Sequence, residues 1–508
     1  MSVVIDGRTL TLEDVERVAA DGAVAVRLDA AAAERMRASR DFIEERVRTG
    51  EPVYGVTTGF GRLADVAVGP EQRADLQRNL VRSHASGVGA PLDRPSVRSL
   101  MLLRANALAR GHSGCRVDVV EGLLGMINAG IHPRVPEFGS VGASGDLAPL
   151  AHVALCLIGE GRVEHGGEER DAADALADAG IEPVTLGSKE GLALINGTQA
   201  TTGLGILALI AAERALEAAE VAGAMSLEAL LGTPEAFRAE IQEARPHPAQ
   251  AVSAARLRAL LDGSEIRESH RNGDPRVQDA YALRCMPQVH GAARHALGYV
   301  RGVLEIEANS ATDNPLVFPE AGVVVSGGNF HAQIVSQALD LLAIAVADLA
   351  AISERRIERL LNPDLSMGLP AFLTRSPGLE SGFMIAQVTA VDVLSELRIL
   401  AHPASVDSVT TSANQEDHVS MGLAAARKAR RAVGCLEYVL ATELLCAAEG
   451  IEYRRPLRAG DRVETAHALV RGRVPRLEGD RPLGADIEAI SELVRTGALA
   501  GPQPEATR

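Results

Sequence analysis

Apolar residues recur at steps of three and four between His331 and the Asn362-Pro363 pair: Val335, Leu339, Leu342, Val346, Leu349 and Ile352. That period puts them on one face of an α-helix. At 1.5 Å per residue, about thirty residues make a rod of roughly 45 Å. A rod of that length needs long neighbours, and the same reading predicts them from Thr198 to about Leu231 and from Gly422 to Gly450, where a glycine supplies a stop. A further helix is predicted from about Gly382 to Leu400 and a short last one near 487–496. Several long helices in one chain imply a bundle. Alternating β-branched runs are few and gather early, in "VVIDG" and "PVYGVTTGFG". The fold class expected is therefore mainly α. A smaller α/β-like N-terminal region (1–110) carries the Tyr54 and His84 loops, and a long-helix bundle (111–508) follows. The charged stretch 456–482, with its Pro and Gly, reads as a surface connection.

Composition narrows the function classes. The 508-residue chain is 46% hydrophobic and 23% charged, the balance of an ordinary folded protein. Its formal net charge of -16 repels phosphate backbones, so nucleic acid is not an expected partner. The five cysteines are scattered without a CxxC pair, which argues against structural zinc or a disulfide framework. The charge-free run 191–212 is long enough to span a bilayer, but Asn196, Gly197, Thr198, Gln199, Thr201 and Thr202 interrupt it. A buried helix behind a polar loop explains it better. The N-terminus lacks the basic start and apolar stretch of a signal peptide, so a cytoplasmic location and no membrane partner are expected.

No phosphate-binding, nucleophile-elbow or zinc-protease motif occurs. The adjacent Glu416, Asp417 and His418 point in different directions on any regular element, so no metal site is expected. What stands out is a series of polar loops in apolar surroundings: "VYGVTTGFG" (53–61), "NLVRSHASGVG" (79–89), "GSVGASGDLAP" (139–149), "EGLALINGTQA" (190–200), "RVQDAYALRCMPQVHG" (276–291), "EANSATDNPL" (307–316), "SGGNFH" (326–331) and "TSANQEDHVSMG" (411–422). Any one of them reads equally as a cap or a turn. Two of the five tyrosines, Tyr54 and Tyr281, lie in them. A loop phenol serves as a general acid or base if nearby cations draw its pKa below the reference of about 10. Gln278, Tyr281 and Arg284 are spaced to form one polar stripe on a helix, equally a reactive group or a buried Tyr–Arg cluster. Ala143-Ser144-Gly145 has the composition for backbone cyclisation. The nitrogen of the third residue attacks the carbonyl of the first, the glycine offers no Cβ to obstruct it, and loss of the serine hydroxyl leaves an exocyclic methylene. Alone, the tripeptide is explained as well by a tight turn.

Taken together, the loops resemble the aromatic amino acid ammonia-lyase family, most closely its histidine-acting members, from about Val53 to Arg455. "GSVGASGDLAPL" is the most specific match. The resemblance implies that Ala143, Ser144 and Gly145 form 4-methylideneimidazol-5-one (MIO), with no external cofactor. It implies Tyr54 as the base and Arg284 as the partner of the substrate carboxylate. Asn196 would steady the MIO oxygen, with Tyr281 and Gln278 as further polar contacts. Phe330 would lie beside MIO and substrate, and His84 and Glu416 would face the substrate ring. Asp146 would assist cyclisation or cap the helix after it. The small-molecule substrate implied is L-histidine, deaminated to trans-urocanate and ammonia, in a homotetramer with shared active sites. Ser83-His84 and Glu416 favour histidine, because a carboxylate beside a phenyl ring would be a buried, unpaired charge. Ala332, Ile334, Leu397 and Thr410 depart from the pattern common in histidine enzymes, at positions that bear on the substrate rather than on MIO. The alternatives are a tyrosine or phenylalanine ammonia-lyase, a 2,3-aminomutase using the same group, or an inactive helical scaffold. The signature of fumarase-type lyases is absent.

Overall fold

The computed structural model describes residues 2–49, 54–63 and 66–500. It divides into two compact units, one built from Met1–Leu207, Val300–Asp340 and Pro403–Arg427, the other from Ala208–Tyr299, Leu341–His402 and Lys428–Arg508. The boundary expected at 110/111 falls inside the first unit. The helix Arg94–Ala109 packs on both Leu12–Ala20 and Val117–Ala129, so no seam opens there. Buried Arg98 joins all three, donating to Val18 O at 2.7 Å and Ile127 O at 2.9 Å. These carbonyls lie near helix C-termini, where backbone acceptors lack helical partners.

The first unit opens with the α/β character its sequence suggests. Ser2–Ile5 and Ala25–Leu28 pair in parallel around the helix Leu12–Ala20. That helix starts at a capping box, in which the Thr11 hydroxyl accepts from Asp14 N and the Asp14 carboxylate from Thr11 N. The segment "PVYGVTTGFG" differs from expectation. Its described part is a series of turns with one isolated bridge, Thr58 to Ala67, and Val53 lies outside the described residues. The run 191–212 becomes the end of a short helix (Glu190–Ile195), a polar turn, and the start of a long helix.

The long helices are Gln199–Ala229, Met286–Ala308, Gln333–Leu361 and Gly422–Glu452. Val335, Leu339, Leu342, Val346 and Leu349 are all buried, as their spacing requires. Gln333–Leu361 is also long and apolar enough to cross a membrane, but most of its apolar window is buried within the fold. The helix Met286–Ala308 begins inside the polar stretch 276–291. Pro287 looked like part of a loop, but it sits in the first turn, where a missing N–H costs nothing. Gly450 is not a stop. The helix runs through it to Glu452, and the glycine instead permits close approach, since a Cβ there would lie 2.9 Å from the Ala229 Cβ. The stretch 456–482 is not only a connection, because it holds the helix Asp461–Arg471. Met384–Leu400 and Gly484–Arg495 form as predicted, within two or three residues.

In the core of the second unit, fully buried Arg356 forks onto Glu443 (2.5 and 2.8 Å), which also accepts from the hydroxyls of Ser226 and Ser353. A buried carboxylate needs such partners, because desolvation penalises it heavily otherwise.

Candidate active site

The Ala143-Ser144 pair caps a tight turn, with Gly142 and Gly145 bridged to each other and Gly145 bridged to Gly197. Ser144 has φ +56° and Gly145 has φ +80°. A Cβ at Gly145 would sit 2.3 Å from Gly197 O, so only glycine fits. The turn is anchored at its base. Asp146 N donates to Gly197 O (2.7 Å), and Ser140 Oγ accepts from Gly142 N and donates to Asp146 Oδ1.

Asp146 does not cap the helix Leu147–Leu157 that follows it, since its side chain makes no capping bond there. Its buried carboxylate accepts from Thr201 N (2.7 Å) and Thr201 Oγ1 (2.9 Å), and so caps the long helix beginning at Gln199. Burial pushes its pKa above the ordinary carboxylate value, against these hydrogen bonds. Spacing along the chain could not have revealed a capped helix that begins more than fifty residues on.

Both ends of Ser144 are held by side chains from elsewhere. Asn196 Nδ2 donates to Ser144 O at 2.8 Å, and Ser144 Oγ donates to Glu416 Oε1 at 3.0 Å. Asn196 is itself fixed through its backbone: fully buried Arg104 donates to Asn196 O, Ala193 O and Gln199 Oε1. Among the described residues Asn196 Oδ1 has no hydrogen-bond partner, a buried acceptor left open at the turn. Glu416 sits in a strained loop. Ser412, Ala413 and Asn414 all have positive φ (48°, 50° and 69°), at about 1–3 kcal/mol each for non-glycine residues. The Glu416 carboxylate holds that loop, accepting from Thr411 Oγ1 (2.8 Å) and Ser412 Oγ (2.7 Å).

A cavity of about 610 Å³ in the first unit is lined by Tyr54, His84, Ser144, Asn196 and Glu416. Its wall includes one face of the helix Arg73–His84, with Leu76, Asn79, Leu80, Ser83 and His84 at helical spacing. From that face the sequence singles out Ser83 and His84 alone. The i, i+3, i+4, i+7, i+8 pattern was the available signal for the others. His84 Nδ1 lies 2.8 Å from Leu80 O, an acceptor only, so Nδ1 carries the proton and Nε2 is left as an acceptor. Burial lowers the His84 pKa, with Leu80 O and Glu416 opposing. The ring is therefore neutral at neutral pH.

Tyr54 departs from expectation. Among the described residues, no cation draws its phenol down. Burial pushes the pKa up, the Gly61 N–H donating to its oxygen (3.0 Å) opposes this, and the Glu416 carboxylate adds to the rise. Its ring meets Phe60 edge to face.

Three expected residues belong to the second unit and do not line this cavity. Tyr281 opens a four-residue helix, Tyr281–Arg284, with the Arg284 guanidinium 4.6 Å over its ring. Gln278 precedes that helix in irregular chain, so the stripe expected on one helix is limited to Tyr281 and Arg284. The alternative of a buried Tyr–Arg cluster is not what forms either, because Tyr281 is 70% exposed. Phe330, in the first unit, lies half-buried in the turn before Gln333–Leu361, outside the cavity lining.

The chain is similar to known proteins over nearly its whole length. Residues 10–472 match the aromatic amino acid lyase family. The chain is 56% identical over 506 residues to a histidine ammonia-lyase of Anaeromyxobacter sp. (strain K), covering 98% of this chain and 99% of that one. Among solved structures it resembles histidine ammonia-lyase from Trypanosoma cruzi, at 45% identity and TM-score 0.92 over 98% of this chain and 94% of that one. It resembles tyrosine aminomutase from Streptomyces globisporus at 40% identity and TM-score 0.93, covering 98% of each chain. A match across nearly the whole length, together with a glycine-flanked Ala-Ser-Gly turn held by Asn196 at the cavity wall, means that the chain belongs to the aromatic amino acid lyase family.

Proposed function

We propose that the protein is a carbon–nitrogen lyase that converts L-histidine to trans-urocanate and ammonia, using MIO formed from its own Ala143-Ser144-Gly145. The observation that carries this is the Ser144 turn. Its residues fit the group: the glycine leaves no Cβ to obstruct ring closure, and Asn196 Nδ2 already holds the Ser144 carbonyl oxygen that a ring would retain. The group supplies an electrophilic methylidene carbon that takes the substrate amine and makes it a better leaving group. Asn196 fixes the carbonyl, and Tyr54 removes the β-proton at the cavity wall. His84 Nε2 accepts an imidazole N–H, and Glu416 places a carboxylate beside the same ring, a pairing that a phenyl ring could not satisfy. Arg284 pairs with the substrate carboxylate, with Tyr281 and Gln278 as polar contacts and Phe330 packing on the substrate. These four complete the site in a homotetramer whose loops are shared between subunits, an arrangement supported by the exposure of Tyr281. The enzyme works in the cytoplasm.

Offered at equal concentration, L-histidine is expected to be consumed in strong preference to L-phenylalanine and L-tyrosine. Preference for either of the others overturns the histidine assignment. The raised Tyr54 pKa sets a pH dependence. Its phenol is protonated at neutral pH, so the base form, and kcat/KM with it, grows as pH rises from about 7 toward about 9. On the acid side, protonating His84 removes its acceptor, and activity falls below the ordinary histidine range. Tyr54→Phe is expected to abolish the alkaline rise along with the activity. A profile that is flat or falling over the alkaline span removes Tyr54 from the role of base.

The second reading, an aminomutase, is supported by the likeness to a solved tyrosine aminomutase. The same base and electrophile would serve it, and only the products separate the two.

A further inference from the structure

We infer that Glu416 is a positioning residue for maturation of the Ala143-Ser144-Gly145 turn, before it serves any substrate. The inference rests on the ring-forming reading above and assigns a second task to a residue placed there beside the substrate.

Ring formation removes two waters. Gly145 N bonds to the Ala143 carbonyl carbon. That carbonyl oxygen leaves as water with the Gly145 and Ser144 amide protons, creating a C=N bond to Ser144 N. Ser144 Oγ leaves as the second water, taking its own hydrogen and the Cα proton, and creates the Cα=Cβ bond. Atoms and charge balance, and no oxidant is required. The second loss is an elimination, and it is fast only when the Cβ–Oγ bond stands out of the peptide plane, aligned with the breaking Cα–H bond. A free serine hydroxyl samples three rotamers.

In this chain the hydroxyl is tied down. Ser144 Oγ donates to Glu416 Oε1 at 3.0 Å. Oε2 of the same carboxylate accepts from Thr411 Oγ1 and Ser412 Oγ, and Thr411 N donates to Glu416 O at 2.8 Å. The loop therefore sets the position of the carboxylate, and the carboxylate sets that of the hydroxyl. With Asn196 on the carbonyl, Ser144 is gripped at its carbonyl and at its leaving group. The arrangement also resolves how one carboxylate occupies both places. When Oγ departs, Oε1 loses this partner and is released to the cavity, which Glu416 lines. Maturation and the opening of a substrate acceptor are then one event.

The test follows mass rather than turnover. Full-length protein is made by cell-free synthesis, sampled at intervals, and its intact mass is recorded for wild type and for Glu416→Ala, Glu416→Gln and Glu416→Asp. Wild type should lose two waters. Glu416→Gln keeps an acceptor oxygen at the same reach and should mature at close to the wild-type rate. Glu416→Ala, shown to be folded by circular dichroism, should mature slower by on the order of tenfold or more and pass through a species one water lighter. Glu416→Asp falls short of Ser144 Oγ and should also be slow, which decides the matter if the alanine variant does not fold. Loss of both waters at the wild-type rate in folded Glu416→Ala, or in Glu416→Asp, overturns the inference. A wild type that keeps its full sequence mass overturns the ring-forming reading itself.

Discussion

Ser144→Ala is expected to lose one water at most, never the second, and to lower L-histidine deamination by at least about three orders of magnitude. The reason lies in which atoms the turn must lose. Alanine keeps the Cβ but has no hydroxyl to eliminate, so no methylidene forms and the site has no electrophile. The fold should survive. Ser144 Oγ hydrogen-bonds to Glu416, whose other oxygen stays held by Thr411 and Ser412. Alanine also meets the same backbone requirement that serine already meets at φ +56°. Intact mass and urocanate absorbance check the two halves of the prediction on one sample. Activity within about tenfold of wild type would mean that the amine is not activated by this serine at all.

Lys189→Met is expected to produce the largest loss of stability, about 3–5 kcal/mol out of a typical total of about 5–15. Lys189 Nζ lies 2.6 Å from Asp313 Oδ2, and the two side chains are 0% and 2% exposed. Methionine fills the space but leaves the Asp313 carboxylate buried without its cation. The consequence reaches the cavity, because Asp313 Oδ1 also accepts from the backbone N of Asn314, which lines it. The double variant Lys189→Met/Asp313→Leu removes both charges and should recover much of the loss. Urea unfolding of the single and double variants gives the comparison. A single variant as stable as wild type would show that this pair carries no net electrostatic weight.

The chemistry was legible in the sequence largely because it uses residues whose presence needs explaining. Gly145 is readable as an obligate glycine, and its Cβ position confirms the crowding. The long helices were readable because a 3.6-residue period survives over thirty residues. What the sequence could not supply was partnership across distance. Asp146 caps a helix that begins at Gln199, Arg104 holds Asn196 through its carbonyl, and Glu416 takes the Ser144 hydroxyl from 272 residues away. None of these has a local signature, because each is set by packing. Tyr54 shows the same limit in its electrostatics. A phenol in a polar loop invites a cationic neighbour, but the side chains around it bury it and add a carboxylate. Gly450 and Pro287 show that a residue's local preference names what it permits, not what it does. One permits close approach where a stop was expected, and the other starts a helix where a loop was expected.

The central claim is that the chain removes ammonia from L-histidine. The most direct measurement is proton NMR of L-histidine incubated with purified wild-type protein, with ammonia assayed in the same sample. The account predicts the vinylic pair of trans-urocanate appearing as histidine disappears, with one ammonia released per urocanate. A β-amino acid formed without ammonia, or histidine left intact by a protein that turns over tyrosine, would contradict it.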